Sequence, residues 1–235
     1  MPPALAPVSP ERPWSPPAPA PSPQAVAPPE LTAASSRFVL FPARAFLAFG
    51  WLRAAAEKAI SPDWWSGAEL EAFLAEQSTH MLAFMDPLTD SLVRPLPQLT
   101  ALVVMVVQLV LGAALLTGRR LGGALLAACG LNTIFVLLGA VDPSAFYLVL
   151  QLTLLLALAA QHGWFTTSRR LSVIAGSAAA MVLLAPFVRT IHPAEVIDDP
   201  AIMLVTLLVL LAATQVFALF DGRFRSQSRR LSSST

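Results

Sequence analysis

Cysteine is almost missing from this 235-residue chain: there is one, Cys129, inside an apolar segment. A lone cysteine excludes an intramolecular disulfide, a CxxC dithiol and a cysteine-ligated cluster held by one chain. Charge is scarce as well, at 12% of residues, where a soluble domain carries about 25%. The three histidines, His80, His162 and His192, are far apart in sequence. None has HxxxH or HExxH spacing, so no metal site is expected. No Gly-rich phosphate loop follows a strand, and no GxSxG occurs. Basic residues fall in short connections and a tail, so a nucleic-acid partner is not expected either.

Apolar residues are plentiful. They make up 56% of the chain, and the mean hydropathy is +0.67. Such values belong to an integral membrane protein whose main partner is the lipid bilayer. Residues 1–36 hold twelve of the 21 prolines. A segment so poor in backbone donors and apolar bulk is expected to be a disordered or polyproline-like tail, or a docking site for a proline-binding partner. It lacks the order of a cleaved signal peptide.

Six apolar segments follow. The first, Phe38–Ile60, carries Pro42 near its start and four charges, Arg44, Arg53, Glu57 and Lys58. The others are Leu99–Gly118, Leu121–Val141, Ala145–His162, Ser172–Val188 and Ala201–Phe220, with Pro186 a potential kink in the fifth. Each is near the roughly 20 residues a bilayer demands. The fold expected is all-α, with six spans.

Between the first two spans lies a polar connection, residues 61–98. Leu70, Phe73, Leu74, Met81, Leu82 and Met85 recur there at helical spacing, and Glu69, Glu71 and Glu76 lie off that stripe. One or two amphipathic helices are expected, lying on the membrane or capping the bundle. Gly112, Gly118, Gly122, Gly123 and Gly130, and Gly176 with Ala180, are small residues suited to close helix contacts.

Charge asymmetry sets the orientation. With six spans, Arg12, Arg37, Arg119, Arg120, Arg169, Arg170, Arg223, Arg225, Arg229 and Arg230 fall on one side. Asp63, Glu69, Glu71, Glu76, Asp86, Asp90, Asp142, Glu195, Asp198 and Asp199 fall on the other. The positive-inside rule then puts both termini in the cytoplasm.

Charges inside a span are expensive and need a reason. Arg53 and Glu57 are four apart and can pair. Arg44 and Lys58 share a stripe, about 21 Å apart along the helix, and can snorkel to opposite faces. Plain anchoring explains them. The functional alternative is that Arg53, Glu57 and Lys58 line an outward-facing polar pocket, with Asp63, Trp64 and Trp65 at its mouth. Such a pocket would hold an anionic substrate or a quinone headgroup. The other membrane-embedded polar groups are Gln108, Asn132, Gln151, Gln215 and His162. Amides in spans most often bond across helices. Asn132 has the best functional case, because it shares a span with the outward Asp142. No residue is assigned a catalytic role.

These residues also carry a resemblance. The sequence resembles the DoxX/DoxD family of small bacterial membrane proteins over roughly residues 37–165. The first helix has Arg44, Lys58, Pro62, Trp64, Trp65 and Gly67, then Leu70, Phe73 and Leu74. The second span has Gln108-Leu109, Gly112, Leu115, Gly118 and Arg119-Arg120, with Gln108 where the family has Glu. The third has Asn132, Phe135, Leu137, Gly139 and Asp142-Pro143. Ala48 and Ala55 stand where the family has glycines. The resemblance implies a four-helix membrane bundle (residues 37–168) with an added transmembrane hairpin (169–222) and a basic tail (223–235). It also implies a bacterial inner-membrane location and a non-catalytic subunit of a quinone-linked redox complex, like the small subunit of thiosulfate:quinone oxidoreductase. An oxidoreductase subunit would be the partner, and a quinone the one cofactor. A scaffold or lipid-binding role, or transport of a small solute, is the alternative.

Overall fold

The computed structural model describes residues 33–190 and 198–232, with side chains described for 40–190 and 198–221. Every regular element among the described residues is helical. Helix α1 is Ala33–Ile60, α2 Pro62–Ser66 and α3 Ala68–Gln77. A 3-10 turn at Ala83–Met85, the single turn α4 (Asp86–Leu88) and a π turn at Thr89–Val93 lead to α5, Pro97–Thr117. Then come α6 (Leu121–Leu137), α7 (Ser144–Gln161), α8 (Thr167–Leu184), a 3-10 turn at Ala185–Phe187, and α9 (Pro200–Ser232).

Four stretches are long and apolar enough to cross a membrane: Pro97–Thr117, Ser144–Gln161, Thr167–Phe187 and Pro200–Asp221. Helix α6 is apolar but has 17 residues. Helix α1 has the length, at 28 residues, but carries charges. The tail expectation for residues 1–36 lies outside the described residues, except that Ala33–Ser36 already belong to α1. Pro42 is therefore interior to α1, not near its start. Pro186 ends α8 in a 3-10 turn instead of kinking it, because its ring and missing N–H stop the i−4 ladder. Helix α8 starts at Thr167, five residues before the expected Ser172. Thr166 Oγ1 caps it by accepting from Arg169 N–H at 3.3 Å.

Helices α1, α5, α6 and α7 share one core, built from Leu47, Ala48, Trp51, Leu111, Leu115, Leu125, Ala128 and Leu154. Antiparallel α1 and α5 approach closely at Gly112, where a Cβ would sit 2.7 Å from Leu52 Cγ and 3.1 Å from Ala48 O. Helices α1 and α7 meet at Gly50, where a Cβ would fall 2.3 Å from Tyr147 Oη. At Gly112 the backbone carbonyl of Ala48 leaves little room for a side chain, whereas at Gly50 the neighbour is the end of the Tyr147 side chain. Gly123, Gly130 and Gly176 have nothing within 4 Å of a Cβ, so the close contacts expected of them are not made.

The α8–α9 hairpin packs through Leu204 and Leu207 against Val136, Val141, Ala145 and Leu148. A polar clasp adds to this. Arg189 donates through Nη1 to Thr79 O and through Nη2 to Met81 O. Asp199 Oδ2 accepts from Arg189 N–H at 2.8 Å, and Oδ1 accepts from Ala201 N–H at 2.8 Å and Ile202 N–H at 3.2 Å. One carboxylate thereby caps α9 and holds the segment that aims Arg189.

The 61–98 connection follows the sequence pattern. Ser61 Oγ caps α2 by accepting from Trp64 N–H at 3.2 Å and donates to Glu69 Oε2 at 2.6 Å. Pro62 takes the first helical position. Gly67, at φ +85°, ends α2 and starts α3 against Pro97 and Gln98, a conformation and a gap that favour glycine. Leu70, Leu74, Met81, Leu82 and Met85 are buried, while Glu69, Glu71 and Glu76 are exposed.

Candidate functional site

The charged residues of α1 separate onto two faces. Arg44 and Lys58 turn inward. The Arg44 guanidinium lies against the α5 C-terminus at Gly118 and 5.2 Å over the Phe41 ring, where the helix dipole favours a cation. Lys58 Nζ lies 4.7 Å over the Trp64 ring. Trp64 is buried, and its Nε1–H donates to Ala101 O at 2.9 Å, pinning α2 to α5. Trp65 is exposed and donates to Ala59 O at 2.9 Å.

Arg53 and Glu57 occupy the opposite face. Arg53 Nε donates to Glu57 Oε1 at 2.7 Å, and the two side chains are 81% and 58% exposed. The pocket expected from Arg53, Glu57 and Lys58 together is not formed. The reason is rotational: Arg53 is nine residues from Arg44, and at about 100° per residue that is half a turn away. These residues do not enclose a quinone headgroup, so they do not fit one within this chain. Asp63 is exposed in the first turn of α2, away from any enclosed space.

Gly112 opposes Ala48 and Leu52. Arg53 is therefore roughly level with residues 107–111, near the middle of the 21-residue α5. Phe49 and Phe46 are exposed one and two turns before Arg53. The outer side of α1 thus presents two aromatic rings and an ion pair at a depth where α5 carries no charge.

Three amides lie inside the bundle. Gln108 and Asn132 are 3% exposed and Gln151 is 0% exposed. Gln108 lies eleven residues before the α5–α6 turn at Arg119, and Asn132 thirteen residues after it. Asn132 and Gln151 are similarly balanced about the α6–α7 turn. At about 1.5 Å per residue all three share one depth. Gln108 Oε1, Asn132 Nδ2 and both polar atoms of Gln151 have no hydrogen-bond partner among the described residues, and neither does Trp51 Nε1. Gln215 does have one: its Oε1 accepts from Arg170 at 3.1 Å.

Asp142 lies elsewhere. It lines a cleft of about 600 Å³ at the acidic end, together with Glu76, His80, Asp198 and Phe73. Among the described residues, no group of three or more His, Cys, Asp or Glu side chains is placed to hold a metal ion. Asn132 is buried in the bundle and is not among the residues lining this cleft.

The sequence reading missed Arg189, Glu76 and His80 as parts of polar sites. Arg189 carried a signal, as one of two basic residues, with Arg94, on the acidic side. Glu76 and His80 carried none beyond polarity, because their neighbours come from the α6–α7 connection and the α8–α9 connection.

The class these features support is an all-helical, multi-pass membrane protein. No protein-family model, curated protein or solved structure matches the chain.

Proposed function

We propose that this chain is a six-span, non-catalytic membrane subunit that works by pairing its first helix with another protein. The observation that carries this reading is the Arg53–Glu57 pair, exposed on α1 at mid-span depth. A charge in the hydrocarbon region is costly unless it faces protein or water. The pair neutralises itself, but most of the five guanidinium N–H groups and the remaining carboxylate lone pairs still need partners. A facing protein helix with polar side chains supplies them, and Phe46 and Phe49 give it apolar contact area. Helix α1 is the sixth crossing in this reading. It runs antiparallel along α5, which supports its having the same depth, and Arg44 and Lys58 mark its two ends. Both termini lie in the cytoplasm of a bacterial inner membrane.

The motif resemblance supports an oxidoreductase subunit as the partner, in a quinone-linked complex. The quinone of such a complex is not enclosed by this chain alone. A photo-crosslinking residue at Phe49, which leaves both charges in place, tests the reading in native membranes. The expected result is a protein adduct that is lost in the Arg53→Leu/Glu57→Leu double variant. Identification of an oxidoreductase chain in the adduct supports the redox complex. A second copy of this chain would replace it with a scaffold role. Adducts with lipid alone would end the partner reading.

A further inference from the structure

We propose that the groove at the basic end of the molecule is a binding site for an anionic glycerophospholipid of the leaflet that it faces. An acyl chain would lie along α7, with the phosphate at two arginine turns.

The groove has a volume of about 490 Å³ and runs between the four-helix core and the α8–α9 hairpin. Gly122 and Leu126 of α6, Leu155 of α7, Val173 of α8 and Leu211 of α9 form its walls. Its origin lies in how the hairpin is attached. The Leu204 and Leu207 contacts and the Arg189 clasp all lie toward the acidic end. At the basic end, Gly122 contributes no side chain to close the gap, and a Cβ there would meet only Leu158 Cδ2, at 3.6 Å. A smaller groove of about 110 Å³ shares Leu152, Leu156 and Leu211 with the first and extends it to Val149. From His162 to Val149 is thirteen residues of α7, about 20 Å. That exceeds the ~15 Å half-thickness of a bilayer hydrocarbon core, so the path accommodates an extended acyl chain.

The mouth of the groove supplies the charge. Arg119 and Arg120 form the turn two residues before Gly122, and Arg169 and Arg170 lie just past Trp164 and Phe165. Arg169 lies 4.8 Å over the Trp164 ring and donates to Trp164 O at 2.9 Å. Arg170 lies 5.0 Å over the Phe165 ring and donates to Gln215 Oε1. These contacts hold each guanidinium in place and use one of its five donors, leaving the others directed to the headgroup layer. No acidic residue occurs in either turn. Asp221 of α9 is the acidic side chain at this end among residues 40–221. His162 Nδ1–H donates to Leu158 O at 2.8 Å, which turns Nε2 away from that carbonyl at the groove rim. Two guanidiniums held beside an indole and a phenyl ring, with Arg119 and Arg120 in the turn that leads into Gly122, at one end of an apolar slot between helices match a phosphate-bearing lipid. A neutral lipid or a quinone ring would leave the four charges without a counterpart.

The test is native mass spectrometry of the purified full chain, delipidated in detergent and incubated with phosphatidylglycerol or phosphatidylcholine of identical acyl chains. The expected result is at least a tenfold preference for phosphatidylglycerol. Arg119→Ala/Arg169→Ala should reduce its retention to the phosphatidylcholine level. Gly122→Phe, which fills the slot and leaves the arginines, should abolish retention of a bound lipid. Circular dichroism and thermal melting confirm that each variant is folded, and Leu155→Trp serves if Gly122→Phe is not. Equal retention of the two lipids overturns the proposal. So does undiminished phosphatidylglycerol binding in a folded slot-filled variant, because surface attraction would then suffice. Neither result bears on the protein partner at α1.

Discussion

The orphan polar atoms in the bundle form a complementary set. Gln108 Oε1 and Gln151 Oε1 accept, while Asn132 Nδ2 and Gln151 Nε2 donate, and all belong to side chains at one depth. Buried polar groups without partners are rare, because each costs about 1–3 kcal/mol when unmet. Atoms of complementary type at one depth on α5, α6 and α7 are suited to pair with one another. A double-mutant cycle with Asn132→Leu and Gln151→Leu, read as thermal stability in detergent, should show a favourable coupling of about 0.6 kcal/mol. Strict additivity would mean that the two amides do not meet. An uncharged amide such as Gln108 can be buried by hydrogen bonds alone.

The hairpin α8–α9 is joined to the rest by few apolar contacts and one polar clasp. Arg189 reaches two carbonyls, Thr79 O and Met81 O, with the two ends of one guanidinium. A planar fork makes two such bonds in a fixed geometry, and a lysine ammonium does not. Arg189→Lys should therefore behave much like Arg189→Ala. Both should speed amide hydrogen exchange in the 79–82 loop and at the α9 N-terminus several-fold, while α1 and α5 stay protected. Unchanged exchange in Arg189→Ala would show that the apolar contacts hold the hairpin alone. The same logic explains why this side of the molecule carries a basic residue in acidic surroundings. Arg189 is directed at backbone carbonyls, and those are acceptors whatever the nearby side chains.

Charge is divided unevenly between the two ends. Four arginines lie at the turns after α5 and α7, and the acids collect around the 61–98 connection, Asp142 and Asp198–Asp199. A reporter fused after residue 66 should read out as extracytoplasmic, and one after residue 167 as cytoplasmic. Both reporters on one side would mean that one of α5, α6 and α7 does not cross, because those three helices separate the two fusion points. The two proposed contacts sit on different surfaces. The α1 face is at mid-depth, the lipid groove is at the basic end between α7 and the hairpin, and neither needs the other.

Much of this was legible in the chain itself. Apolar run length gave the helical class, the approximate boundaries of α5, α6 and α7 and the start of α9, but not its end, because α9 continues through the polar, arginine-rich residues to Ser232. Period 3.6 in residues 70–85 gave the buried stripe of Leu70, Leu74, Met81, Leu82 and Met85, because burial on one face is a local property of helix geometry. Half a turn over nine residues also separates Arg53 from Arg44 by helix geometry, although the pocket expected from the sequence grouped Arg53 with Lys58. Other features needed the fold. Gly112 and Gly123 are the same residue type in similar apolar surroundings, yet one is packed under Leu52 and the other has nothing within 4 Å. Asp142 shares a helical hairpin with Asn132, yet it joins Glu76, His80 and Asp198, which come from distant segments. The Arg189 clasp spans 110 residues to Thr79. Composition and periodicity act over a turn or two of helix and so determine which segments are helical and which face is apolar. Which helix covers which face, and which side chains from different helices share a cleft, depends on packing among elements far apart in sequence.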